Sequence, residues 1–178
     1  MSHELTDYEL SEFLRANIVL NSRKWKHRFT TNCYAFALGL DIKESKIMPC
    51  AYIPGNIGSS REKIEYTHCF TYNNLINNIY DDLLYMRLKF REIDPMEKPL
   101  EDEWKIALLT TLLAYEDYLE YLSDFHFLRE GSDGTWYHKL GWFKGVRNKD
   151  SKGRIITDPR KCVFKNTDYK LTLALKKR

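Results

Sequence analysis

The sequence predicts a single α+β domain in which helices pack on an antiparallel sheet, and three segments carry this prediction. Tyr8–Val19 places apolar side chains at helical spacing along one face. Asp124–His138 has two aromatic, extended stretches on either side of a turn with two glycines, a pattern typical of a β-hairpin. Tyr169–Leu175 has the composition of a final strand. Helical and antiparallel strand patterns in one short chain indicate the α+β class.

The length and composition are those of one globular domain. The chain has 178 residues, of which 43% are hydrophobic and 14% aromatic, so it can bury a substantial core. It contains no internal repeat and no linker long enough to divide it. We therefore expect one domain over residues 1–178.

The charge and the N-terminus restrict the partners and the compartment. A formal net charge of +3 does not by itself indicate a nucleic-acid-binding surface. Met1–Asp7 is polar and acidic, unlike a signal peptide, and no apolar run approaches the ~20 residues that span a bilayer. We expect a cytoplasmic protein that does not bind membranes, released by lysis or delivered by a route that needs no signal.

Two further helices and one strand are predicted between Asn32 and Ile93. Polar residues up to Asn32 supply cap chemistry for a short helix over Cys33–Leu38, and Gly39 follows where a helix C-terminal glycine belongs. Leu75–Leu84 has a helical pattern, and a strand is expected within Leu84–Ile93.

The next segment is ambiguous, since its apolar run suits a buried strand as well as a buried helix. We favour a strand over Trp104–Thr110 followed by a short helix over Leu112–Leu122.

The hairpin brings two histidines together. A register centred on Ser132, with a loop of Gly131, Ser132 and Asp133, places His126 directly opposite His138 on one face of the sheet. A shift of one residue would send the two imidazoles to opposite faces. One imidazole would then accept a thiol proton while the other orients it. The alternative is that His138 is an exposed strand residue.

The candidate nucleophile is Cys33, because it lies in the first turn of the short helix. Unpaired backbone N–H groups there favour a thiolate, lower the thiol pKa and can stabilise an oxyanion. The alternative is a buried cysteine that packs as a small hydrophobe. Asn32 is a candidate oxyanion donor, and Asp124, on the same strand face as His126, is an alternative orienting acid.

Four motifs together resemble a group of bacterial and phage-associated proteins with a papain-like fold. They are Asn32–Gly39, Asp124–Arg129, Asp133–Gly141 and Ile156–Pro159. Their order, a cysteine on a helix and then a histidine on each of two strands, is similar to that of NlpC-type cell-wall peptidases. The resemblance implies a cysteine-bearing helix packed on an antiparallel sheet, with Cys33 as nucleophile, His126 as base and His138 as the orienting residue. It also implies an insertion around residues 60–120.

The expected function is a cysteine peptidase or amidase, a thiol hydrolase that cleaves a peptide or isopeptide bond through an acyl-enzyme. The resemblance implies a peptide, a peptidoglycan stem peptide or a protein as substrate. No cofactor is expected, and no metal, because the four cysteines form no pair at the short spacing of structural zinc sites. Two alternatives stay open: a catalytically inactive papain-like binding or inhibitory module, and a structural phage or assembly protein.

Overall fold

A computed structural model describes the central and C-terminal parts of the chain. The described residues are 32–40, 53–57, 70–116, 119–140 and 145–177. The predicted helix over Tyr8–Val19 lies outside these ranges.

The described strands form one antiparallel sheet, which confirms the α+β class. They are β1 (Phe70–Thr71), β2 (Leu88–Glu92), β3 (Glu103–Glu116), β4 (Leu119–Glu130), β5 (Trp136–Lys139), β6 (Val146–Arg147) and β7 (Asp168–Lys177). Their spatial order is β2-β7-β3-β4-β5-β6, with β1 paired to β4. The predicted final strand is therefore β7, which lies inside the sheet between β2 and β3.

The short helix α1 (Cys33–Leu38) begins and ends where the sequence predicts. The Asn32 side chain accepts a hydrogen bond from the Ala35 amide at 2.9 Å and caps the first turn. Gly39 ends the helix with a φ of 74°, a left-handed conformation that glycine adopts without steric cost. All six residues of α1 are buried, and the helix packs on β4 and β5.

Helix α2 (Tyr72–Tyr85) confirms the second predicted helix and is longer at its start. Thr71 caps it by accepting a hydrogen bond from the Asn74 amide. Leu75, Ile79 and Leu83 recur at helical spacing and form its buried stripe. The strand that follows begins at Leu88, after the two-residue turn of Met86 and Arg87.

The helix predicted over Leu112–Leu122 is wrong. Strand β3 continues to Glu116, and β4 returns from Leu119 antiparallel to it, with register irregularities on both sides of Leu112. The apolar residues in this stretch fit the period of a helix and that of a strand, and pairing between β3 and β4 stabilises the strand conformation.

The region predicted as an insertion is part of the sheet. Residues 88–116 contribute β2 and β3, and β3 lies between β7 and β4.

The sheet separates two apolar layers, here named the helix face and the loop face. On the helix face, Leu108, Phe127 and Leu173 pack with buried residues of α1 and α2. On the loop face, the buried cluster consists of Ala107, Leu109, Leu128, Trp136, Ile156 and Phe164. Since adjacent strand residues point to opposite sides, the two lists alternate along β3 and β4.

Residues 145–167 cover part of the loop face. The predicted turn at Lys149–Gly153 is confirmed, since Lys149 and Ile155 form a bridge across it. Asp150 organises the turn by accepting hydrogen bonds from the amides of Lys152, Arg154 and Val163. These bonds and the Arg154 guanidinium hold the pKa of the Asp150 carboxyl well below its usual range, against the opposing effect of its burial. Within the described residues, no helix is long and apolar enough to cross a membrane.

Candidate active site

The hairpin register differs from the predicted one by two residues. The pairs are Leu128 with His138 and Glu130 with Trp136, so the pairing is centred on Asp133. The three-residue loop comprises residues 132–134 and is closed by a 2.8 Å hydrogen bond from the Gly131 amide to the Thr135 carbonyl. Its last residue, Gly134, has a φ of 73°. The last residue of a three-residue hairpin loop adopts a left-handed conformation. Glycine adopts this conformation more readily than aspartate, so a loop that ends at Gly134 is favoured over one that ends at Asp133.

A shift of two residues preserves the face, so the predicted meeting of the two histidines is confirmed. His126 lies diagonally across from His138, on neighbouring antiparallel strands. Nε2 of His126 and Nδ1 of His138 are 3.0 Å apart, and the two rings are nearly perpendicular.

Hydrogen bonding specifies the tautomer of each imidazole. Nε2 of His138 lies 2.9 Å from the backbone carbonyl of Lys149, which can only accept, so this nitrogen carries the hydrogen. In the neutral ring Nδ1 of His138 is then an acceptor, and His126 donates from Nε2. The result is a chain from His126 through His138 to Lys149, which leaves the lone pair of His126 at Nδ1.

Burial keeps both rings neutral. His138 is only 1% exposed, and burial lowers its pKa below the ordinary value. Burial, together with the neighbouring His138, lowers the pKa of His126 to about 3. Phe164 contacts both rings edge-on, at centroid distances of 5.0 and 4.8 Å. The pair is therefore an uncharged hydrogen-bonded unit at neutral pH. Each ring has one unprotonated nitrogen: Nδ1 of His138 accepts from His126, and Nδ1 of His126 is the end of the chain.

Cys33 is the first residue of α1 and is 8% exposed. Burial raises the pKa of its thiol to about 12, and the Asp124 carboxylate adds to this increase. Hydrogen bonding from the backbone N–H groups of Phe127, Tyr34 and Cys33 itself lowers the pKa, but by less than burial raises it. The prediction of a lowered thiol pKa is therefore wrong for this state, because six residues of helix provide few unpaired amides and desolvation dominates.

The structure does not join Cys33 to either imidazole. Cys33 packs on the helix face with Phe127, whereas His126, the preceding residue of β4, points to the loop face. Across the described ranges, no hydrogen bond links the Cys33 sulfur to His126 or His138. The sulfur nevertheless lies at the Phe127 amide, which directly follows His126. The assignment of the three residues as catalytic stays a prediction.

The two secondary candidates have local hydrogen bonds. Asn32 Oδ1 is engaged in capping α1, which orients the rest of its side chain amide. Asp124 Oδ1 accepts from the Phe125 amide at 2.8 Å, and burial raises the pKa of its carboxyl. Nε2 of His126 meets His138 rather than Asp124, so His138 is the residue that orients the imidazole in this structure.

Sequence analysis missed Lys139, which follows His138 and is completely buried. Because His138 faces the loop side, Lys139 points to the helix face, where α1 packs. Burial lowers the pKa of Lys139 to about 8, and an electrostatic interaction with Cys33 acts in the opposite direction. The sequence does indicate that Lys139 and His138 point to opposite faces of the sheet, because neighbouring residues of a strand alternate. What the sequence did not show is that both faces of this strand are covered.

A cavity of about 170 Å³ lies elsewhere, beside the free thiol of Cys162. Its lining includes Asp150, Arg154 and Asp158. The described part of the chain contains no group of three or more side chains suited to holding a metal ion. Comparison with family models, with curated proteins and with solved structures returned no match to this chain.

Proposed function

We propose that this chain is a thiol hydrolase with a papain-like arrangement, which cleaves an amide bond through an acyl-enzyme on Cys33. The observation that carries the proposal is the hydrogen-bonded chain from Lys149 through His138 to His126. It leaves the lone pair of a neutral imidazole at Nδ1 of His126, one residue before the amide that acts on the thiol. A nucleophile paired with a base and a third group that orients the base is the arrangement used in nucleophilic catalysis.

The proposed reaction begins with transfer of the Cys33 proton to Nδ1 of His126 as the sulfur attacks the substrate carbonyl carbon. The C–N bond then breaks, and the leaving amine takes the proton from Nδ1. Water attacks the thioester and gives a proton to Nδ1, the C–S bond breaks, and the proton returns to the sulfur. His138 holds the His126 ring in one tautomer through each step by accepting the hydrogen bond from its Nε2.

Backbone amides around the sulfur are the candidate oxyanion donors. The N–H groups of Phe127, Tyr34 and Cys33 already act on the sulfur, so a tetrahedral oxygen formed there would lie near the same donors. Asn32, whose side chain is oriented by capping α1, stays a candidate for a further donor.

The described geometry corresponds to a resting state in this proposal. The thiol is neutral, and the sulfur lies against the helix face of β4, whereas the His126 imidazole lies on the loop face. The β4–β5 pairing ends at Leu128 and His138, whereas β4 stays paired with β3 through His126 and Phe127. The proposal therefore requires β4 to rearrange on substrate binding so that the sulfur and Nδ1 of His126 come within reach, since catalytic hydrogen bonds often form only in the complex.

A catalytically inactive binding module is the second candidate. The observation that favours it is the burial of Cys33, whose thiol has a pKa of about 12 and no hydrogen bond to a base among the residues described. In that case Cys33 would be a core residue and the histidine pair a buried structural network.

Acylation by p-nitrophenyl acetate, followed by intact mass and peptide mapping, distinguishes the two candidates. The proposal predicts one acetyl group on Cys33 in the folded protein. His126→Gln should slow this acylation by about a hundredfold, in the range that general-base catalysis contributes. His138→Gln should slow it less, because it removes only the group that orients the base.

Cys162→Ser is the matched control, since Cys162 is also a free cysteine with a thiol pKa raised to about 12 by burial. It should leave acylation of Cys33 unchanged. Acetylation of Cys33 only after denaturation, or at the same rate in His126→Gln, would refute the hydrolase and favour the binding module. A hydrolase should then release new amines from peptidoglycan stem peptides or from an unfolded protein, and wild type and Cys33→Ala are compared on both.

A further inference from the structure

We propose that residues 111–116 of β3, here named the β3 arm, are a pairing edge through which two copies of this chain associate as a closed dimer. The two arms would lie antiparallel and complete each other's backbone hydrogen bonds. The inference does not depend on the proposed function, since no residue of the β3 arm takes part in the proposed chemistry.

The β3 arm is paired on one side only. Strand β3 lies between β7 and β4. Strand β7 pairs with it from Glu103 to Thr110, whereas β4 pairs with it as far as Glu116. Among the described residues, no strand therefore pairs with the β7 side of the β3 arm. The backbone N–H and C=O groups on an unpaired side of a strand are a template for another strand.

The β3 arm is already in strand conformation, and its leucines are exposed. Beyond the irregularities at Leu112, the residues Ala114, Tyr115 and Glu116 pair in register with β4, so the arm is a strand to its end. The side chains of Leu112 and Leu113 are 45% and 56% exposed. An open strand edge with exposed apolar side chains beside it is the surface to which an added strand binds.

The distribution of charge favours a second copy of the chain as the partner. Residues 111–115 carry no charge, so two antiparallel arms place no like charges opposite each other along this stretch. The outer strands of the sheet differ from the arm: β2 contains Lys89, Arg91 and Glu92, and β6 has two residues. Charged side chains and short length keep edge strands from pairing, and residues 111–115 have no such protection.

Antiparallel pairing of two identical strands has two-fold symmetry. Each arm then covers the open side of the other, and no unpaired arm is left for a third copy. The assembly therefore stops at two copies, which distinguishes it from open-ended aggregation through exposed strands.

Sedimentation velocity over a range of protein concentration tests the dimer. Wild type should show a monomer–dimer equilibrium without larger species. Leu113→Lys should raise the dissociation constant by about tenfold or more, because it brings two like charges into one interface and removes apolar contact. Leu100→Lys is the matched control, since Leu100 is 63% exposed but lies in the connection between β2 and β3. It should leave the dissociation constant unchanged.

Hydrogen exchange of wild type locates the interface without any substitution. The backbone amides of the β3 arm should exchange more slowly in a concentrated sample than in a dilute one. This measurement decides the matter if Leu113→Lys lowers the melting temperature. The inference is overturned if wild type is monomeric at every concentration, if it forms a series of larger species, if the two lysine variants dissociate equally, or if dimerisation leaves exchange in the arm unchanged.

Discussion

The Cys33 sulfur is surrounded by the backbone amides of Phe127, Tyr34 and Cys33, yet its thiol pKa lies at about 12. Burial also dominates at His126, where the neighbouring His138 adds to it and lowers the pKa of the imidazole to about 3. In both groups burial disfavours the charged form, and at Cys33 it outweighs the effect of the nearby amides. At the scale of single residues, both groups are therefore neutral in this structure, and the proposed chemistry must create charge on each of them.

The lowered pKa of His126 predicts a loss of stability in mild acid. An unfolded histidine has a pKa near 6.5, whereas the folded value is about 3, so between these pH values only the unfolded chain binds the proton. The free energy of unfolding should then fall with pH below about 6.5, by up to about 1.4 kcal/mol per pH unit from this residue. Urea unfolding at pH 7 and pH 5 measures it.

His126→Gln is the comparison for this prediction, since it removes the titrating group and keeps a hydrogen-bonding side chain. The variant should lose about 1 to 2 kcal/mol less than wild type between the two pH values. Carboxylates titrate in both proteins, so their contribution cancels. Parallel losses would mean that His126 is not held neutral by the fold.

At the scale of elements, the β4–β5 hairpin depends on which glycine takes the left-handed position. Gly134 has a φ of 73° and closes the loop, whereas Gly131 has an ordinary φ but lies against Tyr137, where an added Cβ would be 2.6 Å from the ring. The two glycines are thus required for different reasons, one for backbone conformation and one for space. Their roles set the register that brings His126 to His138.

Gly134→Ala should reduce the free energy of unfolding by about 1–2 kcal/mol, because a Cβ is disfavoured at this φ. Gly134→Asn should cost less, since asparagine tolerates the left-handed region. Gly145→Ala is the control. Among the described residues beyond its chain neighbours, no atom would lie within 4 Å of the new Cβ, and the residue has no positive φ, so it should change stability little. Equal effects of alanine at the two positions, measured by urea unfolding, would contradict the proposed role of Gly134.

At the scale of the whole molecule, Asp82 connects three separate segments on the helix face. Its carboxylate accepts hydrogen bonds from Tyr34 Oη on α1 at 3.0 Å, from the Gly55 amide at 2.7 Å and from the Ile57 amide at 3.1 Å. Asp82 itself is on α2 and is completely buried. The carboxylate therefore holds α1, and with it Cys33, in a defined position relative to α2.

Asp82→Ala should destabilise the protein by about 3 kcal/mol or more, because it leaves one buried amide, one half-buried amide and a buried hydroxyl without this acceptor. Tyr34→Phe removes one of the three bonds and should cost about 1 kcal/mol. Asp81→Ala, at an exposed position of the same helix, is the control and should stay within about 0.5 kcal/mol. Thermal melts of the three variants check the order of these stability losses. An Asp82→Ala protein as stable as Asp81→Ala would contradict the proposed role of Asp82 in connecting the three segments.

Local sequence by itself determined the features that depend on neighbouring residues. The capped helix from Cys33 to Leu38, the hairpin and the strand face shared by the two histidines follow from side-chain chemistry and period within a few positions. Tertiary structure decided the rest. Pairing between β3 and β4 placed Leu112–Leu122 in strands rather than in the predicted helix. The left-handed conformation of Gly134 set a hairpin register that differs by two residues from the predicted one. Coverage of both sheet faces buried Cys33 and Lys139 and placed the imidazoles on the other side from the thiol. Burial arises when segments distant in the sequence pack together, so it cannot be predicted from a local sequence pattern. It is also the main cause of the pKa shifts of Cys33, His126 and His138.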